Sequence, residues 1–243
     1  MEPQAPRPAG RSTWQYIGCT CGGLIVLVVG AFAVLTWLTY REAKAVKASF
    51  KDPATREAKT REVLPYDTLP EGYHALGSFS VPLIAQMAFF GDREPKPGEE
   101  PNQGMRERGF IYMSMRQMRD NKREILRYLK GEAPEKKPEW MAGNADFQTG
   151  EPIGRGTVEV NGTTVYYFAS RGAIRQPKER MGGLLTLALA DCKDDSRVRF
   201  GVWLGPDPSP EKPVAELDTK GTTADPAALK EFLGHFRICP AGR

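Results

Sequence analysis

The sequence predicts an α+β domain, a mainly antiparallel sheet covered by helices, carried behind one N-terminal transmembrane helix. Three observations predict it. Residues 12–40 contain no charged side chain. From Tyr66 onward, short β-prone runs alternate with turn residues. Two stretches of that region carry helical signals instead, one with an amphipathic charge pattern and one with a capping residue followed by proline.

Composition sets the outer bounds. Of 243 residues, 40% are hydrophobic and 26% charged, with a net charge of +4. That apolar fraction excludes a wholly disordered chain and is enough for a real core. A charge this mild gives no reason to expect a nucleic-acid partner. Four Cys and two His leave little material for a metal site, and no cofactor is expected.

Residues 1–16 form a polar leader, and 17–40 the membrane span. The strongly apolar part, Ile17 to Leu38, covers roughly 33 Å as a helix, enough for a hydrocarbon core of about 30 Å. Trp14 and Tyr16 on one side and Trp37 and Tyr40 on the other suit the two headgroup interfaces. A cleaved signal peptide has a shorter apolar region, although Ala43-Lys44-Ala45 has the form of a cleavage site. Cys19 and Cys21 read as ordinary residues at the membrane edge. Gly18 and Gly22 make a small-xxx-small pair that offers a homodimer contact as an alternative to a lone helix.

Orientation has arguments on both sides. Six basic residues between Arg41 and Lys59 would hold the soluble domain in the cytoplasm by the positive-inside rule. A lone anchor behind a basic leader (Arg7, Arg11) exports the domain attached to it, and long domains cross largely regardless of charge. The expectation is an extracytoplasmic domain, periplasmic in a bacterium.

Residues 41–65 read as a charged juxtamembrane helix or stalk, interrupted at Pro53 and ended near Pro65, and residues 66–243 as the soluble domain. Within it, 73–81 and 83–90 form a first hairpin, followed by a Pro-, Gly- and Glu-rich loop over 91–108 and a third strand over 109–113. A helix spans about Met115 to Lys130, stopped by Gly131. Residues 157–160 and 163–169 flank Asn161-Gly162, the strongest short hairpin signal. A third hairpin joins 183–190 to 197–204. The Pro-rich stretch 206–213 leads to a last helix with Asp225 as N-cap and Pro226 at its first position. The order is ββ-β-α-ββ-ββ-α.

That order, with the hairpin Val158-Glu159-Val160-Asn161-Gly162-Thr163-Thr164-Val165-Tyr166-Tyr167 and the closing phrase Leu229-Lys230-Glu231-Phe232-Leu233-Gly234-His235-Phe236-Arg237-Ile238, resembles the Mog1/PsbP-like domains. The resemblance covers roughly 66–240 and implies a sheet covered by helices and an accessory, assembly or binding role. It brings no catalytic motif, and the 91–108 loop lies outside its minimal pattern.

The candidate site residues are few. Cys192 and Cys239, 47 positions apart, suit a disulfide if the domain is exported. On the 115–130 helix, Met115, Met118, Ile125, Leu126 and Leu129 share one sector. Arg116, Arg119, Arg123, Arg127 and Lys130 share the next, either a solvated face or a surface for anionic lipid or an acidic partner. Lys122 falls in the apolar sector and must snorkel or pair. His74 and His235 lack the spacing of metal ligands and any Gly-x-Ser-x-Gly nucleophile to serve. Asp191, Asp194 and Asp195 read as turn formers. Asn161-Gly162-Thr163 matches the glycosylation sequon, but the tight turn already accounts for Asn and Gly.

These readings lead to a single-pass, membrane-anchored, non-catalytic binding or accessory domain with an unknown protein partner. The alternatives are a cytoplasm-facing domain docking anionic lipid or an acidic partner through its basic helix, and an enzyme assembled from His74, Cys192 and His235.

Overall fold

The structure is a computed structural model that describes residues 52–81, 84–96, 104–116, 122–132, 147–175, 180–192 and 197–239. The span 17–40, and with it Cys19, Cys21, Gly18 and Gly22, lies outside the described residues. Among the described residues, no helix is long and apolar enough to cross a membrane.

The architecture is α+β. Its elements are α1 (Pro53–Val63), β1 (His74–Val81), β2 (Ala85–Gly91), β3 (Gly109–Met115), α2 (Lys122–Lys130), β4 (Phe147–Val160), β5 (Thr163–Arg175), β6 (Arg180–Ala190), β7 (Val198–Gly205), a short 3-10 turn (Val214–Glu216) and α3 (Pro226–Gly234). The strands form one antiparallel sheet in the order β1-β2-β3-β7-β6-β5-β4. Two meanders, β1–β3 and β4–β7, are joined by the β3–β7 pair, which runs from Gly109↔Leu204 to Met115↔Val198.

Strand alternation sends successive side chains to opposite faces, so the sheet needs cover on both. On the first face, Ala75, Phe90, Phe110, Trp203, Ala188 and Val165 pack with Leu64, Tyr66, Leu229, Phe232, Leu233 and Phe236, from the end of α1 and from α3. On the second, Ile111, Val202, Leu187, Phe168 and Phe200 meet Ile125, Tyr128 and Leu129 of α2.

The predicted order holds, with four differences in detail. The end of the stretch expected as a solvated helix or stalk is helical, as α1, but it packs on the domain. Pro53 begins this helix instead of interrupting it: Asp52 caps it, accepting from the Thr55 backbone N–H at 3.0 Å and from the Thr55 hydroxyl. Arg56, expected on a solvated face, is only 3% exposed and donates from Nε to the Ala75 carbonyl at 2.9 Å. Thr60 and Leu64 are fully buried beside it.

The second difference is the start of α2. Met115, expected in the helix, ends β3 between Ala85 and Val198, and Arg116 comes next with its N–H on the Ile84 carbonyl at 3.0 Å. A strand paired on both sides satisfies its backbone at every residue, and this outweighs the helical spacing of Met115 and Met118. Met118 and Arg119 lie outside the described residues.

Third, β4 and β5 run far beyond the predicted hairpin. Pro152, Gly154 and Gly156 hide the strand from a propensity reading, but β4 is an edge strand and shifts register on both sides of Pro152. Fourth, β6 begins at Arg180 because residues 180–182 pair with β5, and Gly183 within it passes so close to β7 that a Cβ there would sit 2.1 Å from the Gly205 carbonyl oxygen.

The 91–108 loop and the Pro-rich segment after β7 are both tied to the sheet. Asp92 accepts the N–H groups of Arg106, Glu107 and Arg108 at 2.8, 3.0 and 3.3 Å, closing the base of the 91–108 loop. Arg171 clamps the Pro-rich segment, donating to Asp207 Oδ2 at 2.7 Å and to the Ser209 carbonyl at 2.8 Å. Asp225 caps α3 as predicted, accepting from Ala227 and Gly221, and its carboxyl is held below the usual range by those N–H groups.

Buried tyrosines give the fold an alkaline limit. Burial pushes the Tyr66 hydroxyl up to about 12, and burial likewise raises Tyr73, Tyr128 and Tyr167. In the unfolded chain tyrosine ionises near 10. The folded state therefore binds these protons more tightly, and their contribution to stability is full below about pH 10 and lost as pH rises towards 12. Thermal melts are expected to fall steadily across that window, and Tyr66→Phe to lessen the fall. A melting temperature flat from about pH 10 to 12 would contradict this.

Candidate functional site

An open cleft lies on the first face, at the end of the sheet where α1 finishes. It is a cleft of about 620 Å³ walled by Glu62, Val63 and Pro65 from α1 and its end, Val160, Asn161 and Thr163 from the β4–β5 turn, and Phe236 to Cys239 from the tail after α3. Gln86 of β2 and Arg199 of β7 supply strand positions facing it.

Local chemistry builds each wall. The turn needs left-handed backbone at both central residues, and Asn161 (φ 48°) and Gly162 (φ 76°) provide it. Asn161 then donates from Nδ2 to the Gly234 and Phe236 carbonyls at 3.2 and 3.3 Å, tying the turn to the end of α3. A glycan would attach at that same nitrogen. The tail is tied to the other wall through Arg237, whose N–H meets the Pro65 carbonyl at 2.8 Å and whose guanidinium grips Asp67 through both carboxylate oxygens. That grip holds the Asp67 carboxyl below its usual range.

Cys192, at the end of β6, and Cys239, in the tail, stand with Cα atoms 5.5 Å apart, at disulfide distance. The Thr163 hydroxyl donates to Cys239 Sγ at 3.4 Å. The expected pair is thus brought together, and it fixes the tail that walls the cleft.

The chemistry beneath the cleft is polar where an all-apolar core would be simplest. Gln86, Ser114 and Arg199 occupy three neighbouring strands in one register row, Gln86↔Ser114↔Arg199. Gln86 Oε1 accepts from Arg197 at 2.7 Å, and Arg199 donates to the Tyr112 hydroxyl at 3.0 Å. Ser114 is fully buried, and its hydroxyl has no hydrogen-bond partner among the described residues. A buried orphan hydroxyl costs about 1–3 kcal/mol and calls for an explanation.

The other candidates scatter. Arg123, Arg127 and Lys130 lie on the outer face of α2, opposite Ile125, Tyr128 and Leu129, and Arg127 approaches Glu132 at 3.9 Å. Arg116 is exposed just past β3, off the helix, so the five basic residues do not form one helix face. Lys122, expected to snorkel or pair, pairs with Asp191 Oδ1 at 2.7 Å. Asp194 and Asp195 lie outside the described residues. His74 is exposed at the start of β1, and His235 Nδ1 stands 3.2 Å from the Thr68 carbonyl. With Cys192 facing Cys239, the structure does not assemble His74, Cys192 and His235 into a hydrogen-bonded set. Among the described residues, no cluster of three His, Cys, Asp or Glu side chains is placed to hold a metal ion.

Sequence reasoning missed Gln86, Ser114 and Arg199. The signal was present in the alternation of β3 and β7, where Ser114 and Arg199 put polar groups on the same face as Phe110, Tyr112 and Trp203.

Fold and cleft together define an α+β domain built on a seven-stranded antiparallel sheet covered on both faces. Compared with known proteins, the chain matches no family model, no curated protein and no solved structure.

Proposed function

We propose that the protein is a membrane-tethered, non-catalytic binding domain. Residues 17–40 cross the bilayer once, the α+β domain faces away from the cytoplasm, and the cleft beside the tail is its binding surface. The observation that carries this reading is the Cys192–Cys239 pair, which braces a wall of the cleft and is suited to an oxidising compartment. The resemblance to Mog1/PsbP-like domains supports binding over turnover by analogy of fold. Tethering raises the effective concentration of the domain for partners at the same membrane.

The test is a reporter fused after Arg243 that is active only outside the cytoplasm, with the fusion checked for integrity and abundance. An active reporter is the expected result. An inactive but intact fusion would place the domain inside and overturn the exported reading.

A further inference from the structure

We propose that the outer edge of β1 is a self-association surface, where a second copy of this chain pairs antiparallel across Phe79 and extends the sheet. The cleft plays no part in it. Two independent observations carry the proposal: backbone groups on this edge that no strand pairs, and an exposed aromatic ring at the centre of the open stretch.

β1 is a terminal strand, hydrogen-bonded on one side only. The Ile84 carbonyl accepts from the Arg116 N–H on β3, which sets the alternation along β2. Gln86, Ala88 and Phe90 therefore turn their backbone groups to β3, and Ala85, Met87 and Phe89 turn theirs to β1. Val81, Phe79 and Gly77 stand opposite those last three. The N–H and C=O of Ser78 and Ser80 are left pointing outward, and nothing pairs with them among the described residues. The open stretch is bounded. At its start the Ala75 carbonyl is taken by Arg56 Nε at 2.9 Å, and at its end Pro82 brings no N–H.

The sequence does not defend this edge. Terminal strands are commonly blunted by charge, proline or bulges. β4, at the other side of the sheet, has all three: Glu151, Arg155 and Glu159, Pro152, and register shifts on both sides of that proline. β1 shifts register at its start, between Ala75 and Gly77, and from Gly72 to Gly91 there is no Asp, Glu, Lys or Arg. Phe79 is 37% exposed and Ile84 44%, and these are the exposed large hydrophobic side chains among the described residues.

A second copy suits the stretch because the stretch is its own complement under a two-fold axis. With Phe79 on that axis, Ser78 of one copy faces Ser80 of the other, and their outward N–H and C=O groups bond reciprocally. The Phe79 rings meet as a cross-strand aromatic pair, and no like charges oppose each other within the stretch.

The test is cysteine cross-linking of the full chain in detergent, with Cys19→Ser and Cys21→Ser to remove the thiols near the anchor. Residues directly opposite in a non-hydrogen-bonded pair have Cα atoms about 4.5 Å apart, within reach of a disulfide. Phe79→Cys is therefore expected to give a covalent dimer on mild oxidation. His74→Cys, whose two copies would stand roughly 33 Å apart, should cross-link at least tenfold more slowly. Phe79→Lys sets like charges on the axis and is expected to weaken self-association at least tenfold, read by light scattering over a concentration series. Circular dichroism checks that this variant folds; if it does not, the cysteine pair alone decides. Equal cross-linking rates at 79 and 74 would overturn the register and the proposal with it. A monomer at every concentration would overturn the second copy as occupant. Dimers unchanged by Phe79→Lys would place the contact elsewhere, Gly18 and Gly22 included, and would overturn it as well.

Discussion

Replacing Phe232 with alanine is expected to lower stability by about 3–5 kcal/mol, the range for deleting a large buried aromatic side chain. Phe232 is 5% exposed and sits at the centre of the ring cluster that holds α3 on the sheet. It stacks on Trp203 with ring centroids 4.3 Å apart, and lies 5.0 Å from both Tyr73 and Phe110 and 5.5 Å from Phe236. No single neighbour can move in to fill the space, because Trp203 is pinned through its indole N–H to the Tyr73 hydroxyl at 2.8 Å. The cost should therefore fall in the upper part of the range, and Phe232→Leu should recover part of it. Urea denaturation of the full chain, with exposed Lys230→Ala as control, measures the difference. A loss below about 1 kcal/mol would mean that α3 is not anchored through this ring.

The second large effect concerns the cysteines. Cys192→Ser with Cys239→Ser is expected to lower stability by up to about 4 kcal/mol, the chain-entropy value for a loop of this length. The same two substitutions should loosen the tail beyond Arg237, since the pair holds Cys239 to the end of β6. Denaturation of the parent with and without reductant should reproduce the loss, and the double variant should be indifferent to reductant. Identical midpoints for parent and variant under oxidising conditions would show that the pair is not bonded.

The features legible in the sequence have a common physical basis. Asn161-Gly162 needs left-handed backbone whatever surrounds it, and Asp225-Pro226 starts a helix by satisfying its own neighbours. Lys122 in an apolar sector had to snorkel or pair, and it pairs with Asp191. Each of these is decided within a few residues of chain or by one unfavourable burial. The features that were not legible are decided at long range. Met115 reads as helical until β2 and β7 close on both sides of it, and Arg56 reads as solvated until the Ala75 carbonyl is brought to it. The cleft belongs to this second group: Gln86, Ser114 and Arg199 are unremarkable polar residues until β3 and β7, far apart in the chain, make them neighbours.

The seam between β3 and β7 has a further consequence, for the order in which the chain folds. Every other pair of adjacent strands is joined directly in sequence, whereas Met115 and Val198 are 83 positions apart. Each doubling of a loop adds about 0.6 kcal/mol of closure entropy, so about five doublings beyond a two-residue turn put roughly 3 kcal/mol on this one step. The two meanders can form from local contacts, and their docking along β3–β7 is expected to be the late, slow event. Because Gln86 and Arg199, on opposite sides of that seam, both line the cleft, its floor is expected to be assembled only at the end of folding, after each half has formed its own hairpins.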